Sequence, residues 1–335
     1  MDRFVVGTGR CGSTLLSSML GEHPALLSVF EFFTGLDMSK RFTREPMSGA
    51  EFAALLSSEH PFVTMVLSRG YEVEEITYPF GPNARYTRDQ GLPWLLVSAL
   101  PRFTDDPDAL FDETVAFART LPEQPPAAHY RCLFDWLAAR LGRQCWLERS
   151  GSSIDYLGSL RDLFPEGRFL HIHRDGPEAA LSMREHAAYR LAVSLMFQAP
   201  SSANPSIAEL AELDPARVGV ESDPTATMLA SRPPVEHFGR YWSHELTHGF
   251  RALAKLDAHQ YREARFEDLL AQPQEALREI AAYFELDPDR DGWIDRAAAL
   301  VRGVPPTRFH TLTDGEQERL VEACRPGMQL LGRSP

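Results

Sequence analysis

Residues Phe4 to Leu16 read Phe-Val-Val-Gly-Thr-Gly-Arg-Cys-Gly-Ser-Thr-Leu-Leu. Three apolar residues run into a glycine-rich turn, and the turn opens onto a second apolar run, which predicts a strand, a loop and a helix. Such a loop directs backbone N–H groups and the positive end of the helix dipole at an anion. The stretch therefore predicts a phosphate site near the start of the sequence.

The loop departs at one place from the nucleotide-binding P-loop pattern GxxxxGK[ST]. Gly7 and Gly12 take the two glycine places and Thr14 the hydroxyl place, but Ser13 stands where the pattern requires lysine. Enzymes that transfer a phosphoryl group from a nucleoside triphosphate use that lysine and a magnesium ion against a highly charged γ-phosphate. The cation of this loop is Arg10, so we expect a less highly charged leaving group.

Composition limits the partners of the chain. It has 335 residues, of which 44% are hydrophobic, and a net charge of -13 at pH 7. It has no basic run interleaved with aromatic residues, so no nucleic-acid partner is expected.

The cysteines at positions 11, 132, 145 and 324 lack metal-ligand spacing, so neither a zinc site nor a disulfide framework is expected. Without a signal-peptide pattern or an apolar run of spanning length, we expect a cytoplasmic protein with no integral membrane segment.

Short apolar runs alternate with segments of helical periodicity. The runs are Phe4–Val6, Leu27–Phe30, Cys145–Leu147, Phe169–Ile172 and Tyr261–Phe266. The helical segments are Thr14–Leu20, Ala128–Leu141, Ile154–Phe164, Glu178–Tyr189, Val235–Asp257, Gln274–Phe284 and Asp314–Cys324. This alternation predicts an α/β protein with a P-loop-like three-layer α/β/α fold and a mostly parallel central sheet. We expect one domain over residues 1–335, with residues 32–125 and 188–236 as helical and loop excursions that cap the site.

A second motif agrees with the phosphate loop. Residues 168–182 read Arg-Phe-Leu-His-Ile-His-Arg-Asp-Gly-Pro-Glu-Ala-Ala-Leu-Ser. The loop resembles that of sulfotransferases that use 3′-phosphoadenosine 5′-phosphosulfate (PAPS), in the bacterial branch with arginine in the loop, close to the carbohydrate and tyrosylprotein enzymes. Arg174 and Ser182 match the 3′-phosphate residues of that family in type and spacing, although Pro177 lies one place later than in the family.

The resemblance implies the transfer of a sulfuryl group from PAPS to an acceptor hydroxyl, which leaves 3′-phosphoadenosine 5′-phosphate (PAP), with no metal ion. A small molecule, a carbohydrate, a lipid and a peptide tyrosine all stay open as acceptor, and so does the oligomeric state. Donor-binding residues implied by the resemblance are Gly9, Arg10, Cys11, Gly12, Ser13, Thr14 and Leu15 in the loop, and Arg174 and Ser182 in the second motif.

Three charged residues are the catalytic candidates. Glu31 follows the second apolar run, 21 residues after Arg10, where the tyrosylprotein and bacterial carbohydrate enzymes carry a catalytic glutamate. The resemblance implies that Glu31 is the general base and that Arg10 and Arg149 stabilise the developing negative charge. His23, His171 and His173 are interpreted as scaffold.

Several features leave alternatives open. A P-loop kinase shares the strand, loop and helix but conflicts with Ser13, and a non-catalytic homologue would bind nucleotide without transfer. Arg302 and Arg308 lie in a late segment that resembles one folding over the nucleotide in some sulfotransferases. The segment Arg265-Phe-Glu-Asp-Leu-Leu resembles the closing strand and turn of the family. The aromatic residues Phe32, Phe33, Tyr71, Tyr78 and Phe80 could line an acceptor pocket or form the core of the cap.

Overall fold

Five parallel strands form the centre of the protein in a computed structural model, which describes residues 1–71, 73, 75–82, 84–197 and 223–333. They are β1 (Arg3–Val6), β2 (Leu26–Phe30), β3 (Cys145–Arg149), β4 (Arg168–His173) and β5 (Tyr261–Arg265). They pair in the order β2-β3-β1-β4-β5, and the four pairings are parallel. The predicted α/β class and parallel sheet are confirmed.

Helices surround the sheet. They are α1 (Ser13–Gly21), α2 (Gly49–Leu56), α3 (Pro61–Leu67), α4 (Pro107–Thr120), α5 (Pro126–Arg140), α6 (Leu157–Leu163), α7 (Gly176–Arg184), α8 (Ala187–Phe197), α9 (Pro224–Ala230), α10 (Val235–Leu253), α11 (Phe266–Ala271), α12 (Pro273–Tyr283), α13 (Trp293–Ala298) and α14 (Asp314–Leu330). A π-helical turn covers Leu95–Ala99, and 3₁₀ turns cover Leu100–Arg102, Arg290–Gly292 and Phe309–Thr311. Among the described helices, none combines the length and the apolar composition that crossing a bilayer requires.

The sheet is covered on both faces, which explains why β1 to β4 are buried and largely apolar. The edge strand β5 reads Tyr-Arg-Glu-Ala-Arg and is partly exposed. Side chains alternate along β1: Phe4 and Val6 pack into one core cluster, and Val5 packs into the other. The first cluster contains Phe164 from the end of α6, and the second contains Trp293 from α13. All four residues of β1 are buried, as the central position of the strand requires.

Two predicted helices have different bounds in the structure. The segment Glu178–Tyr189 forms two helices, because α7 ends at Arg184 and α8 starts at Ala187. The last helix passes through Pro326 instead of ending at Cys324. There the Ser243 hydroxyl donates to the carbonyl of Ala323 at 2.7 Å and accepts the N–H of Gly327 at 3.3 Å. This side chain satisfies backbone groups beside the proline, so the helix continues.

The two predicted excursions differ in how far they can be described. Residues 32–125 contain α2, α3, α4 and the π-helical turn, joined by turns and irregular segments, so this part of the chain mixes helix and loop. Of the excursion 188–236, residues 198–222 lie outside the described residues. The rest of it contributes most of α8, all of α9 and the start of α10.

Replacing Trp242 by alanine should destabilise the fold strongly. The buried ring of this α10 residue fills the space beside Gly176 of α7 and Gly327 of α14. We expect Trp242→Ala to lower the free energy of unfolding by about 3–5 kcal/mol, because it empties a large buried site. Urea unfolding followed by circular dichroism measures the change. Arg240→Ala, on an exposed position of the same helix, should change it by less than about 0.5 kcal/mol; equal effects would contradict this account.

Candidate active site

The loop between β1 and α1 bends through residues with positive φ. Gly9, Arg10 and Gly12 have φ values of 74°, 50° and 88°. A Cβ on Gly9 would lie 1.7 Å from the hydroxyl of Tyr189, and one on Gly12 would lie 2.0 Å from the ring of Phe266. Glycine at these two positions therefore allows the rings of Tyr189 and Phe266 to pack against the backbone of the loop. The first backbone N–H groups of α1 have no partner within the helix, as at any helix start, and suit an anion.

Arg10 links the loop to two distant elements. Its Nε donates to Oγ of Ser182 in α7 at 3.2 Å. Its Nη1 lies 3.3 Å from Oε1 of Glu75, with which it forms an ion pair. Because Ser182 belongs to the second predicted phosphate motif, the structure brings the two motifs within the reach of one side chain.

The turn of the second motif is built by a helix cap. Arg174 directly follows β4, and Ser182 lies two turns into α7. Asp175 precedes this helix, and its Oδ1 accepts the N–H of Glu178 at 3.0 Å. The cap starts α7 with Gly176 and Pro177, so the displaced proline still lies in the first turn of the helix.

Glu267 fixes the same turn from the neighbouring segment. It accepts the backbone N–H of Asp175 at 2.8 Å and pairs with Arg333 at 2.8 Å. Burial opposes the charged form, but the hydrogen bonds from Arg333 and from the Asp175 N–H lower the pKa of Glu267 to about 2. The preceding residue, Phe266, has its ring centre 5.1 Å from the guanidinium carbon of Arg174. The closing segment thus holds the second motif in place.

Glu31 directly follows β2 and is buried, with 6% of its surface exposed. Its φ is 51°, in the left-handed region. Its carboxylate pairs with Nη1 of Arg149, accepts the N–H of Gly151 at 2.9 Å on both oxygens, and accepts the hydroxyl of Thr34 at 2.7 Å. Four hydrogen bonds from three donors therefore orient this carboxylate.

Arg149 joins Glu31 to the phosphate loop. It is the last residue of β3 and is almost fully buried. Its Nη2 donates to the hydroxyl of Thr14, and its guanidinium carbon lies 4.0 Å from the ring centre of Phe30. Its carbonyl accepts the N–H of Glu31 at 2.7 Å. Loop, cation and carboxylate thus form one connected network.

Two residues that the sequence analysis missed complete the cluster. Oε2 of Glu75 lies 3.0 Å from Nε2 of His186. Burial opposes the charged form, but His186 and Arg10 together lower the pKa of Glu75 to about 2, so Glu75 is charged at neutral pH. Glu75 lies in a segment without periodicity, and His186 lies at the break between α7 and α8. No motif marks either residue.

Two cavities meet at this cluster. The larger has a volume of about 540 Å³, and the smaller, under the helical excursion, about 250 Å³. The candidate residues that line the larger cavity are Gly9, Arg10, Gly12, Ser13, Thr14, Leu15, Glu31, Arg149, Arg174 and Ser182, together with Arg302 of the late segment. Both cavities are lined by Glu31, Glu75, Gly151 and Tyr189. These four residues form the boundary between the cavities.

The backbone of Arg308 forms a hydrogen bond with α7. Its N–H donates to Oε1 of Glu178 at 2.8 Å, which joins the late segment to the first turn of α7. Within the described structure Arg308 does not line the larger cavity, in contrast to Arg302.

Other singled-out residues lie away from the cavities in the described structure. The Cys11 side chain is fully buried in the core, and burial raises the pKa of its thiol. His171 and His173 are buried on β4, and burial lowers the pKa of both. His23 is buried in the turn after α1, where its Nδ1 accepts the N–H of Ala25 at 3.2 Å. The aromatic residues considered for an acceptor pocket, Phe32, Phe33, Tyr71, Tyr78 and Phe80, all pack in or against the core clusters.

Residues 3–202 match a family described as the sulfotransferase family. The chain belongs to the sulfotransferase family. The matched residues include the phosphate loop, Glu31, Arg149 and the second motif, so the family match spans the candidate site. No curated protein sequence is similar enough to this sulfotransferase-family chain to count as a match.

Solved sulfotransferase structures resemble the chain at low identity. The sulfotransferase domain from the curacin biosynthetic pathway has 13% identity and a TM-score of 0.49, over 99% of this chain and 98% of that one. The domain from the Synechococcus PCC 7002 olefin synthase has 15% identity and a TM-score of 0.45, over 99% and 93%. Sulfotransferase STF9 from Mycobacterium avium has 15% identity and a TM-score of 0.45, over 99% and 77%. The family assignment rests on the sequence match.

Removing Arg149 should leave the buried carboxylate of Glu31 without its partner. We expect Arg149→Met to lower the free energy of unfolding by about 3–5 kcal/mol, with partial recovery when Glu31→Gln is added, because an unpaired buried charge is costly. Urea unfolding of both single variants and the double variant measures this coupling. Arg140→Met breaks an exposed ion pair with Glu113 and should cost less than about 1 kcal/mol. Additive effects of the Arg149 and Glu31 changes would contradict the pairing.

Proposed function

We propose that the chain is a sulfotransferase that transfers the sulfuryl group of PAPS to the hydroxyl of an acceptor. The observation that carries this proposal is the hydrogen bond between Arg10 of the phosphate loop and Ser182 of the second motif. PAPS carries two anionic groups on one ribose, at its 5′ and 3′ positions. A donor site for it needs two anion-binding elements at close range, and the larger cavity offers both.

The donor is assigned to the larger cavity. The loop from Gly9 to Leu15, with the N–H groups at the start of α1, receives the 5′-phosphosulfate. Arg174 and Ser182 receive the 3′-phosphate, and Arg302 lies at the wall of the same cavity. Cys11 contributes its backbone to the loop, since its side chain is buried. The site needs no metal in this proposal, because the transferred group carries only about one negative charge.

The acceptor is assigned to the smaller cavity, with its hydroxyl at the boundary. Glu31 lines both cavities, so its carboxylate lies where the two substrates meet. It takes the proton of the attacking hydroxyl as the oxygen forms a bond to sulfur. The bond between sulfur and the bridging oxygen breaks in line with this attack, and its electron pair leaves with PAP. Arg10 and Arg149 stabilise the charge that builds up on the bridging and sulfuryl oxygens.

In the proposed enzyme, the whole chain acts as one functional unit. Residues 32–125 supply the wall of the acceptor cavity through Val63, Val66 and Val97, and α8 supplies the opposite wall through Ala188 and Ala192. A cytoplasmic location fits the use of a nucleotide donor.

A kinase and a non-catalytic homologue would differ from the proposed enzyme in the reaction that they catalyse. A kinase would turn over ATP with magnesium, and its P-loop requires lysine at the position of Ser13. A non-catalytic homologue would bind PAP but transfer no sulfuryl group. Radiolabelled PAPS should label an acceptor in the presence of EDTA only with the proposed enzyme. Turnover of ATP in the presence of magnesium would indicate the kinase, and binding of PAP without either reaction would indicate the non-catalytic homologue.

Arg174 should determine the preference for a 3′-phosphate. We expect the wild-type protein to bind PAP about ten- to a hundredfold more tightly than adenosine 5′-phosphate, as one charge-assisted hydrogen-bond set allows. Arg174→Ala should remove most of this preference while leaving the affinity for adenosine 5′-phosphate nearly unchanged. Isothermal titration calorimetry measures both ligands, with Arg240→Ala as the control. An unchanged preference in Arg174→Ala would overturn the 3′-phosphate assignment.

Glu31 should be needed for transfer more than for donor binding. We expect Glu31→Gln to reduce the transfer rate by about 10²–10⁴-fold, the usual contribution of a general base, with little change in PAP affinity. Glu75→Gln tests the other carboxylate at the boundary. Its pKa of about 2 makes it a weak base, so its loss should reduce transfer far less.

Single-turnover transfer from PAPS and calorimetry with PAP measure the two quantities for each variant. The exposed Glu318→Gln on α14 is the control and should match the wild type. A larger loss in Glu75→Gln than in Glu31→Gln would move the base role to Glu75. Full activity in Glu31→Gln would overturn the mechanism.

A further inference from the structure

The smaller cavity is mainly apolar, although polar side chains such as His60, His186 and Tyr241 line it away from the residues shared with the larger cavity. Its walls beyond the boundary carry aliphatic side chains, among them Val63, Val66, Ile76, Val97 and Ala192. Val63 and Val66 belong to α3, and Val97 belongs to the π-helical turn. Ile76 lies in the segment between these two elements, and Ala192 belongs to α8. A ligand that fills this cavity therefore meets hydrocarbon on most of its surface.

Hydrogen bonds connect the polar groups at the boundary with those beside it. Thr34 donates to Glu31 at 2.7 Å, and the hydroxyls of Tyr189 and Ser152 lie 3.0 Å apart. The hydrogen-bonding groups of these contacts therefore lie at the end of the smaller cavity that faces the proposed PAPS site. A ligand with many hydroxyls would have to bury most of them against aliphatic side chains without partners, which is strongly unfavourable.

The charge at the boundary restricts the ligand further. Glu31 and Glu75 place two carboxylates where the cavities meet, and Glu75 is ionised at neutral pH. Their guanidinium partners, Arg149 and Arg10, line the larger cavity and are absent from the described lining of the smaller one. The basic side chains in that lining are His186, which already pairs with Glu75, and His60, whose pKa burial lowers to about 4. A ligand with a carboxylate or phosphate in the smaller cavity would therefore face two carboxylates whose guanidinium partners lie outside it.

We propose that the acceptor is a compact, uncharged and mainly apolar alcohol or phenol whose single hydroxyl lies at Glu31. This inference rests on the proposed function and narrows its acceptor class. At about 250 Å³, the cavity lies below the range of about 300–1,000 Å³ common for ligand pockets, so the apolar body is small. Sugars and peptide side chains flanked by polar backbone fit it poorly.

An acceptor series tests the chemistry of the cavity. With PAPS as donor, kcat/KM for linear primary alcohols should rise about fourfold for each added methylene until the cavity is full, since each buried methylene contributes about that factor. Cyclohexanol should be a far better acceptor than myo-inositol, which has the same ring carbons with six hydroxyls. Equal or better transfer to myo-inositol, or no dependence on chain length, would overturn the inference.

Filling the cavity provides a matched test. Ala192→Leu adds three carbons to a wall of the cavity on α8, where leucine suits a helix. It should reduce kcat/KM for the longest accepted alcohols at least tenfold while leaving PAP affinity unchanged. Met196→Leu, an exposed position of the same helix, is the control and should have no effect. Val63→Ala enlarges the cavity and should extend the series by one or two methylenes.

A binding measurement separates this inference from the proposed function. Calorimetry of an alcohol titrated into PAP-saturated protein detects the acceptor without any transfer. Alcohol binding that Ala192→Leu weakens and Met196→Leu does not would support the inference even if no sulfate ester forms. Absence of PAP binding and of transfer to every acceptor would overturn the proposed function. Failure of the alcohols to bind the protein, with PAP bound, would overturn the acceptor class alone.

Discussion

Parallel pairing of the five strands is the constraint on which the candidate site depends. Strands that run in one direction have their carboxyl ends at one edge of the sheet, where ligands of open α/β sheets bind. Each strand supplies a site residue at that edge: Arg10 in the loop after β1, Glu31 after β2, Arg149 at the end of β3, Arg174 after β4 and Phe266 after β5. Phe30 pairs with Arg149 in the register of β2 and β3, which brings Glu31 and Arg149 together. A one-residue slip would turn Arg149 to the opposite face of the sheet.

Local patterns could predict the sheet and much of this edge, because buried parallel strands read as short apolar runs and the phosphate loop is contiguous. The partners of Glu31 could not be predicted in the same way. Its pairing with Arg149 requires β3 to lie beside β2, and 118 residues separate the two side chains. The ion pair between Arg10 and Glu75 depends on the path of a segment without periodicity, and the sequence does not predict that path. Such contacts depend on strand order and loop path, for which no local motif exists.

The wall of the smaller cavity shows why residue composition alone is a poor guide to a binding pocket. The aromatic residues near Glu31 suggested an apolar pocket, yet Phe32 and Phe33 pack edge-to-face with Tyr130 and hold the first excursion onto the sheet. Large rings fill the core because they bury the most surface. The smaller cavity is lined instead by aliphatic side chains such as Val63 and Val97 and by the rings of Trp94, Tyr189 and Tyr241, whose place there no spacing in the sequence reveals. The proposed donor cavity thus draws many of its residues from contiguous motifs, whereas the proposed acceptor cavity is formed by tertiary packing.

Glu31 and Arg10 share the left-handed backbone conformation, which costs a non-glycine residue of order 1 kcal/mol. At Glu31 the strain persists because the surrounding structure over-determines it: Arg149 accepts the backbone N–H, and Trp94 donates to the carbonyl at 2.5 Å. The consequence concerns directed evolution. A library screened only for thermal tolerance should favour glycine or asparagine at Arg10, and that gain in melting temperature would remove a charged group from the larger cavity. At Glu31 the same change would leave the buried Arg149 unpaired, which costs more than the strain, so selection for stability retains this carboxylate.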